Sequence, residues 1–121
     1  MNRKKQIRAN FRNAVFERDK HTCRCCNTKG ISRQDGETPN LDGKSAAFLD
    51  AHHITDRSEM PNGGYVEENG ITVCDACHLK AEKFHSTSGE SWKEGFHPDD
   101  LYVIIGSSKD EAWEASLSLS K

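Results

Sequence analysis

The sequence predicts a small α+β domain that depends on a bound metal ion for its stability. Helix-like and strand-like segments are both present in the 121 residues, and two Cys-x-x-Cys pairs bracket a tandem histidine. Only 34% of the residues are hydrophobic, which leaves a small core. We therefore expect one domain with a short appendage, in which a metal ion adds the stability that the core lacks.

The N-terminal segment is predicted to form a helix near residues 5–19. Basic residues recur every four positions and would form a stripe on this helix. The stripe consists of Lys4, Arg8 and Arg12. A second face of the helix is apolar and consists of Ile7, Phe11 and Val15. This pattern predicts a helix that packs on one side and carries positive charge on another.

Charge is strongly divided along the chain. Residues 1–33 carry ten Lys/Arg and two acidic residues, which give a net charge of +8. Residues 34–121 carry seven Lys/Arg and seventeen acidic residues, which give a net charge of −10. The two segments together have the overall net charge of −2. A solvated helix face would explain the basic stripe. The density of positive charge beside a cysteine pair instead favours nucleic acid. We therefore interpret Lys4, Arg8 and Arg12 as nucleic-acid-binding residues.

The cysteine spacing predicts a structural zinc site at Cys23, Cys26, Cys74 and Cys77. A two-residue gap lets one tight turn present both sulfurs of a pair to the same ion, and zinc favours four thiolates in a closed tetrahedron. Two disulfides are the alternative, but the first twelve residues are basic and polar and lack the apolar stretch of a secretory leader. We interpret Cys25, the remaining thiol, as a spare.

Loop and strand signals divide the middle of the chain. Residues 28–45 are rich in Gly, Asp, Thr and Pro and are predicted to form a surface loop. Strands are predicted at residues 46–54 and 65–73, with the second interrupted at Asn69-Gly70. The second cysteine pair is predicted to open a helix that continues to about Phe84.

Turn and capping signals predict two short helices near the C-terminus. Residues 86–91 have the composition of a linker, Pro98 suits the first turn of a helix, and Gly106 is predicted to end that helix. Ser108 and Glu111 fit a capping box for a second helix. Four aromatic residues are expected in the core rather than on a base-stacking surface. They are Trp92, Phe96, Tyr102 and Trp113.

The histidines are the candidates for a second metal site and for catalysis. His78, Glu82 and His85 follow at four- and seven-residue spacing on the predicted helix, which puts them on one face. A strand histidine, His52, and a helix histidine could share a cation that keeps positions open for water and a phosphate oxygen. His53 would then be free to act as a base, because a neutral imidazole has a pKa near physiological pH.

Each of these residues also has an ordinary interpretation. A single histidine is more often structural or exposed than catalytic, and Asp50 is either a further ligand or a solvated strand residue. Lys80 and Lys83 either contact phosphate or solubilise the helix. The joint placement of the histidines relative to the cysteine pairs favours the functional interpretation.

Three runs of residues resemble a known family. The runs are RDKHTCRCC at residues 18–26, LDAHHI at residues 49–54 and ENGITVCDACH at residues 68–78. Together they look like the HNH (His-Asn-His) endonucleases with paired zinc knuckles. The resemblance covers about residues 15–85. The segment that follows these runs also resembles the tails of small phage-encoded HNH proteins.

The resemblance implies a ββα-metal (His-Me finger) core around one catalytic divalent cation. By position, His53 matches the general base of the family and Asn69 the central asparagine that orients it. His52 and His78 match the metal ligands of the strand and the helix. A further ligand lies about one helical turn later in some members, which indicates Glu82, with His85 as a rival.

What the resemblance implies for activity is metal-dependent hydrolysis of phosphodiester bonds in DNA. The cation would be Mg²⁺ or Mn²⁺, and the leaving group would be the 3′ oxygen. The domain organisation would be a basic helix at residues 1–20, a nuclease core with zinc knuckles at residues 21–86, and a linker with C-terminal helices packed on the same domain at residues 87–121.

The expected partner is double-stranded DNA, with no membrane association. The expected location is the cytoplasm, which would be that of the host cell if the chain is phage-encoded. A second copy of the chain and phage packaging proteins are further candidate partners. Two other functions stay open. One is a noncatalytic zinc module that binds nucleic acid through the basic helix, and the other is a metal hydrolase that acts on a small phosphoester.

Overall fold

The computed structural model describes residues 3–32, 40–41, 44–45 and 47–120. The helices are α1 (Arg3–Arg18), α2 (Asp75–Ser86), α3 (Pro98–Ile105) and α4 (Lys109–Leu117). The strands are β1 (Gly30–Ser32), β2 (Asn40–Leu41), β3 (Lys44–Ser45), β4 (Ala47–His53) and β5 (Gly70–Cys74). The predicted α+β class is confirmed. None of the described helices is long and apolar enough to cross a bilayer.

The main sheet has three strands with β4 in the centre. β5 is antiparallel to β4, and their register places His53 opposite Gly70 and Leu49 opposite Cys74. β1 is parallel to β4 and begins opposite Ala47. The hairpin of β4 and β5 runs into α2, which gives the predicted order of two strands and a helix.

One loop prediction and one strand prediction for this region are wrong in part. The segment at residues 28–45 was predicted to be a loop, but β1 joins the main sheet and β2 pairs with β3. The remainder of that segment lies outside the described residues. The strand predicted from Tyr65 begins only at Gly70, because Glu67–Asn69 forms a 3-10 turn. The amide of Asn69 is bonded to the Thr55 backbone, which holds this turn out of the sheet.

Helix α1 packs against the β4–β5 hairpin with the predicted apolar face. Phe11 and Val15 are buried. A Cβ atom at Gly70 would lie 2.5 Å from Val15 Cγ2 and 2.7 Å from Phe11 Cε1. Such distances are far below van der Waals contact, so the helix reaches this part of the hairpin because residue 70 has no side chain.

A buried carboxylate joins the end of α1 to the sheet. Asp19 accepts hydrogen bonds from Arg18, Arg24 and the backbone N–H of Thr72, and its side chain is fully buried. Burial alone would raise the pKa of Asp19, but these bonds hold the pKa below its ordinary value. The ionised carboxylate therefore connects the helix to β5.

The C-terminal helices begin and end at the predicted signals. Pro98 starts α3, and Gly106 ends it with a left-handed φ of 70°, a conformation that glycine adopts without strain. The Ser108 hydroxyl accepts a hydrogen bond from the Glu111 N–H at 3.1 Å and caps α4. Leu101 on α3 lies in the same hydrophobic core as the sheet.

The prediction that four aromatic residues lie in the core is correct for one and wrong for two. Tyr102 is 3% exposed, and Phe96 is only partly buried against the core. Trp92 and Trp113 are 45% and 43% exposed. Trp92 contacts a surface cluster with Phe84 and His97 instead of the core, so its ring is only half covered.

Candidate metal centres and active site

The four predicted zinc ligands lie together where the turn between α1 and β1 meets the end of β5 and the start of α2. The ligand atoms of Cys23, Cys26, Cys74 and Cys77 are all within 4.8 Å of one another. Cys26 Sγ and Cys74 Sγ are 3.6 Å apart. A tetrahedral zinc site with Zn–S bonds of about 2.3 Å has sulfur–sulfur edges of about 3.8 Å. The cysteine cluster therefore fits a structural zinc ion.

The disulfide alternative is wrong for these cysteines. All five cysteines lie within the described residues, and every one of them is a free thiol. Cys25 is outside the four-residue cluster, as expected of a spare. Its thiol is hydrogen-bonded to Cys23, and this bond is the largest cause that lowers the pKa of Cys23 to about 3. Cys25 therefore lies beside a candidate zinc ligand without belonging to the ligand group.

A second group of candidate metal ligands consists of one residue near the end of β4 and two residues on one face of α2. His52 Nδ1 and His78 Nε2 each lie 3.3 Å from Glu82 Oε1. Metal–nitrogen and metal–oxygen bonds of about 2.0–2.2 Å give ligand–ligand edges of about 3.0–3.4 Å in octahedral and tetrahedral sites. The spacing of His52, His78 and Glu82 therefore fits one divalent cation.

The protonation states of Glu82 and His52 suit metal binding. Hydrogen bonding to His52 is the main cause that lowers the pKa of Glu82 to about 2. Burial lowers the pKa of His52. At neutral pH the carboxylate is ionised and His52 is neutral, which are the states that metal ligation requires.

Asp50 orients the helix histidine. Its Oδ2 lies 3.3 Å from His78 Nδ1, the ring nitrogen that does not face Glu82. This bond is the main cause that raises the pKa of His78. A carboxylate on the second nitrogen of a ligating histidine fixes the ring and increases its basicity. The sequence held a signal for this role, because Asp50 and His52 are two residues apart and share one face of a strand.

His53 opens onto the same pocket as the candidate cation ligands. The pocket has a volume of about 490 Å³ and is lined by His53, His52, His78 and Glu82 among others. Burial is the main cause that lowers the pKa of His53 to about 4. The imidazole is therefore neutral at physiological pH and has a nitrogen lone pair that can accept a proton.

Asn69 fixes the backbone that follows His53. Its side chain is fully buried; Oδ1 accepts hydrogen bonds from the Thr55 N–H and the Tyr102 hydroxyl, and Nδ2 donates to the carbonyls of Thr55 and Gly64. These four bonds use the full capacity of the amide. The structure thus places Asn69 beside the loop and not in the pocket.

His85, the other candidate for the third cation ligand, contacts the backbone of His53. His85 Nε2 is 3.1 Å from the backbone carbonyl oxygen of His53. Within the described residues, the cation group contains Glu82 and not His85. The sequence could not separate the two, because both lie on the same face of α2.

The basic stripe of α1 reaches the pocket in part. Arg8 and Arg12 line it, whereas Lys4 is not one of the described residues that do so. Two further lining residues, Arg57 and Tyr65, were missed by the sequence analysis. Arg57 Nη1 donates to the Tyr65 hydroxyl at 3.1 Å. No local pattern marks this pair, because a loop between β4 and β5 brings it to the pocket.

The comparisons with known proteins give one match. A model of the HNH endonuclease family matches residues 23–84, just over half of the chain, and this range contains both metal-ligand groups, His53 and Asn69. Comparison with curated proteins gave no match, and comparison with solved structures gave none either. The match implies nuclease activity or nucleic-acid binding. The chain belongs to the HNH endonuclease family.

Proposed function

We propose that the protein is a metal-dependent DNA endonuclease that hydrolyses phosphodiester bonds. The observation that carries this proposal is that His53 shares one pocket with the group formed by His52, His78 and Glu82. A base and a candidate cation site at one cavity are the two elements that phosphodiester hydrolysis needs. The arginines of α1 at the same cavity favour a polyanionic substrate.

His53 acts as the general base in this proposal. Its Nε2 is buried, which leaves Nδ1 as the nitrogen that can face the pocket. Nδ1 takes a proton from water, the water oxygen attacks phosphorus, and the bond from phosphorus to the 3′ oxygen breaks. The leaving 3′ oxygen takes a proton from a solvent water, and the products are a 5′-phosphate and a 3′-hydroxyl.

The remaining residues of the pocket hold the reacting groups. His52, His78 and Glu82 would bind Mg²⁺ or Mn²⁺, which when bound neutralises charge on the phosphoryl and leaving oxygens. Asp50 keeps the ring of His78 oriented. A zinc ion held by the cysteine cluster would have a structural role, because four thiolates leave no open coordination position.

A plasmid assay tests the proposal. Supercoiled plasmid is incubated with the zinc-loaded protein, with and without Mg²⁺ or Mn²⁺, and nicked and linear products are quantified. We expect cation-dependent cleavage that is reduced by about 10²–10⁴-fold in His53→Ala, as is typical when a general base is removed. Zinc content and the circular dichroism spectrum should be unchanged in that variant.

The other outcomes of this assay identify the competing functions. Retardation of the plasmid without cleavage under any cation would indicate a noncatalytic nucleic-acid-binding module. Hydrolysis of bis(p-nitrophenyl) phosphate without cleavage of plasmid would indicate a small-molecule phosphoesterase. Undiminished cleavage by His53→Ala would reject the base assignment while leaving the nuclease activity intact.

A further inference from the structure

We propose that Phe11, which lies outside the segment that matches the HNH family, is a positioning residue for His53. Phe11 stacks on one face of the imidazole and Tyr65 meets it at a right angle. The corner that these two rings form, here called the aromatic slot, holds the orientation of the imidazole. The proposal rests on the role of His53 as the base. It goes further, because it makes α1 a part of the active site and not only a surface for binding nucleic acid.

The slot is defined by three rings in mutual contact. The centroids of Phe11 and His53 are 4.5 Å apart with an interplanar angle of 29°, which is a stacked arrangement. The centroids of Tyr65 and His53 are 4.7 Å apart at 90°, so Tyr65 meets the imidazole edge to face. Phe11 and Tyr65 also contact each other at 5.7 Å. Both geometries are favoured arrangements of aromatic pairs.

The orientation of the His53 ring is set by packing against other rings, whereas at many catalytic histidines it is set by a hydrogen bond. The orientation of an imidazole base is commonly set by a bond to its second nitrogen. His53 Nε2 is buried and has no hydrogen-bond partner among the described residues. The stacked ring of Phe11 and the perpendicular ring of Tyr65 are the contacts that restrict rotation of the imidazole about its Cβ–Cγ bond.

The position of Phe11 follows from the packing of α1 on the hairpin. His53 pairs with Gly70 across β4 and β5, and a Cβ atom at Gly70 would lie 2.7 Å from Phe11 Cε1. Phe11 reaches the imidazole across the space that this glycine leaves. Because Arg8 and Arg12 on the same helix line the pocket, α1 brings the positioning ring and the basic side chains to the site together.

A matched pair of substitutions on α1 separates positioning from packing. Phe11→Leu removes the stacked ring, and Phe16→Leu is the control. Phe16 is 2% exposed in the same helix, belongs to the hydrophobic core and stacks on His21, and it is not among the residues that line the pocket. Both variants lose buried aromatic area, but only Phe11→Leu loses contact with His53.

Plasmid cleavage is measured for both variants, zinc-loaded and below their melting temperatures. We expect the kcat of Phe11→Leu to fall by about tenfold to a hundredfold, since small misplacement of a reacting group has effects of this size. KM should change by less than about twofold, because both arginines of α1 are retained. Phe16→Leu should keep the wild-type kcat, and Phe11→Trp, which preserves a stacked ring, should restore most of the loss.

A spectroscopic readout tests the slot independently of cleavage. The ring protons of His53, assigned by their loss in His53→Ala, should be shifted by the ring currents of Phe11 and Tyr65 in the wild-type NMR spectrum. Phe11→Leu should remove part of that shift, and Phe16→Leu should leave it unchanged. If Phe11→Leu melts too close to the assay temperature, Tyr65→Ala alters the slot from its partly exposed side and should give the same loss of kcat.

Three results would overturn the positioning role. They are a wild-type kcat in Phe11→Leu, an equal loss of kcat in both leucine variants, and unshifted His53 ring protons in the wild type. Failure of the proposed function has a different signature, because the wild-type protein would then cleave no plasmid while the ring-current shift could still be present.

Discussion

The carboxylate of Asp50 contacts His78 at the ring nitrogen opposite to the one that faces Glu82. The two distances, Asp50 Oδ2 to His78 Nδ1 and Glu82 Oε1 to His78 Nε2, are both 3.3 Å. One imidazole therefore connects a strand carboxylate to a candidate ligand group. We therefore expect the affinity of this group for a cation to depend on Asp50, which lies outside the group.

Asp50→Asn should raise the Mg²⁺ or Mn²⁺ concentration that gives half-maximal cleavage by about 10–100-fold, the usual effect of losing a partner of a ligating histidine. The measurement is a cation titration of plasmid cleavage. At saturating cation, kcat should largely recover. Asp110→Asn, on the exposed surface of α4, is the control and should leave the titration unchanged. An unaltered titration in Asp50→Asn would show that Asp50 does not act on the cation site.

Glu82→Gln and His85→Gln should separate the two candidate third ligands. Glu82 Oε1 lies 3.3 Å from two histidine nitrogens, whereas His85 is bonded to the His53 carbonyl. We expect Glu82→Gln to raise the half-maximal cation concentration at least about tenfold and His85→Gln to change it by less than about threefold. Isothermal titration of Mn²⁺ into each zinc-loaded variant measures the same difference without substrate. The opposite ranking would identify His85 as the ligand.

Local spacing in the sequence predicted most of the candidate site. The four cysteines and the pair His52 and His78 are fixed by short motifs, and such motifs carry their geometry with them. The buried face of α1 was also predictable, because its apolar residues recur at helical spacing. The confirmed α+β class follows from these local patterns together.

Nonlocal contacts explain what the sequence could not predict. β1 has only three residues, and its pairing with β4 depends on the sheet rather than on its own composition. The contact of Phe11 with His53 depends on the close approach of α1 to Gly70. Residue type alone gave a wrong prediction of burial for two residues, because Trp92 and Trp113 are large and apolar and yet remain half exposed.

Removal of zinc should unfold the protein. Structural zinc sites contribute about 10–16 kcal/mol of binding free energy, which equals or exceeds the total stability of about 5–15 kcal/mol typical of a domain. Cys77→Ser should therefore lose zinc and most of its far-UV circular dichroism signal. Cys25→Ser is the control, because Cys25 lies outside the ligand cluster, and it should keep one zinc per chain. A folded Cys77→Ser protein without zinc would show that the cluster is not required for the fold.

Asp19 should stabilise the fold in a pH-dependent way. Its pKa in the folded protein lies below the ordinary value of 3.8, so the folded state favours the ionised carboxylate. Its contribution is therefore fully present above pH 3.8 and is lost as the pH falls through the lower folded-state pKa. Asp19→Asn should reduce the free energy of unfolding at pH 7 by on the order of 3 kcal/mol, because three donors lose a buried anionic acceptor.

Urea unfolding of wild type and Asp19→Asn between pH 8 and pH 3 measures this contribution. Zinc release in acid affects both proteins, so the difference between their free energies of unfolding reports the carboxylate. That difference should be constant from pH 8 to about pH 5 and should shrink below pH 4. Glu17→Gln, on the exposed side of α1, is the control and should match the wild type throughout. A difference that grows as the pH falls would mean that the carboxylate is destabilised in the folded state, contrary to the hydrogen bonds from Arg18, Arg24 and Thr72.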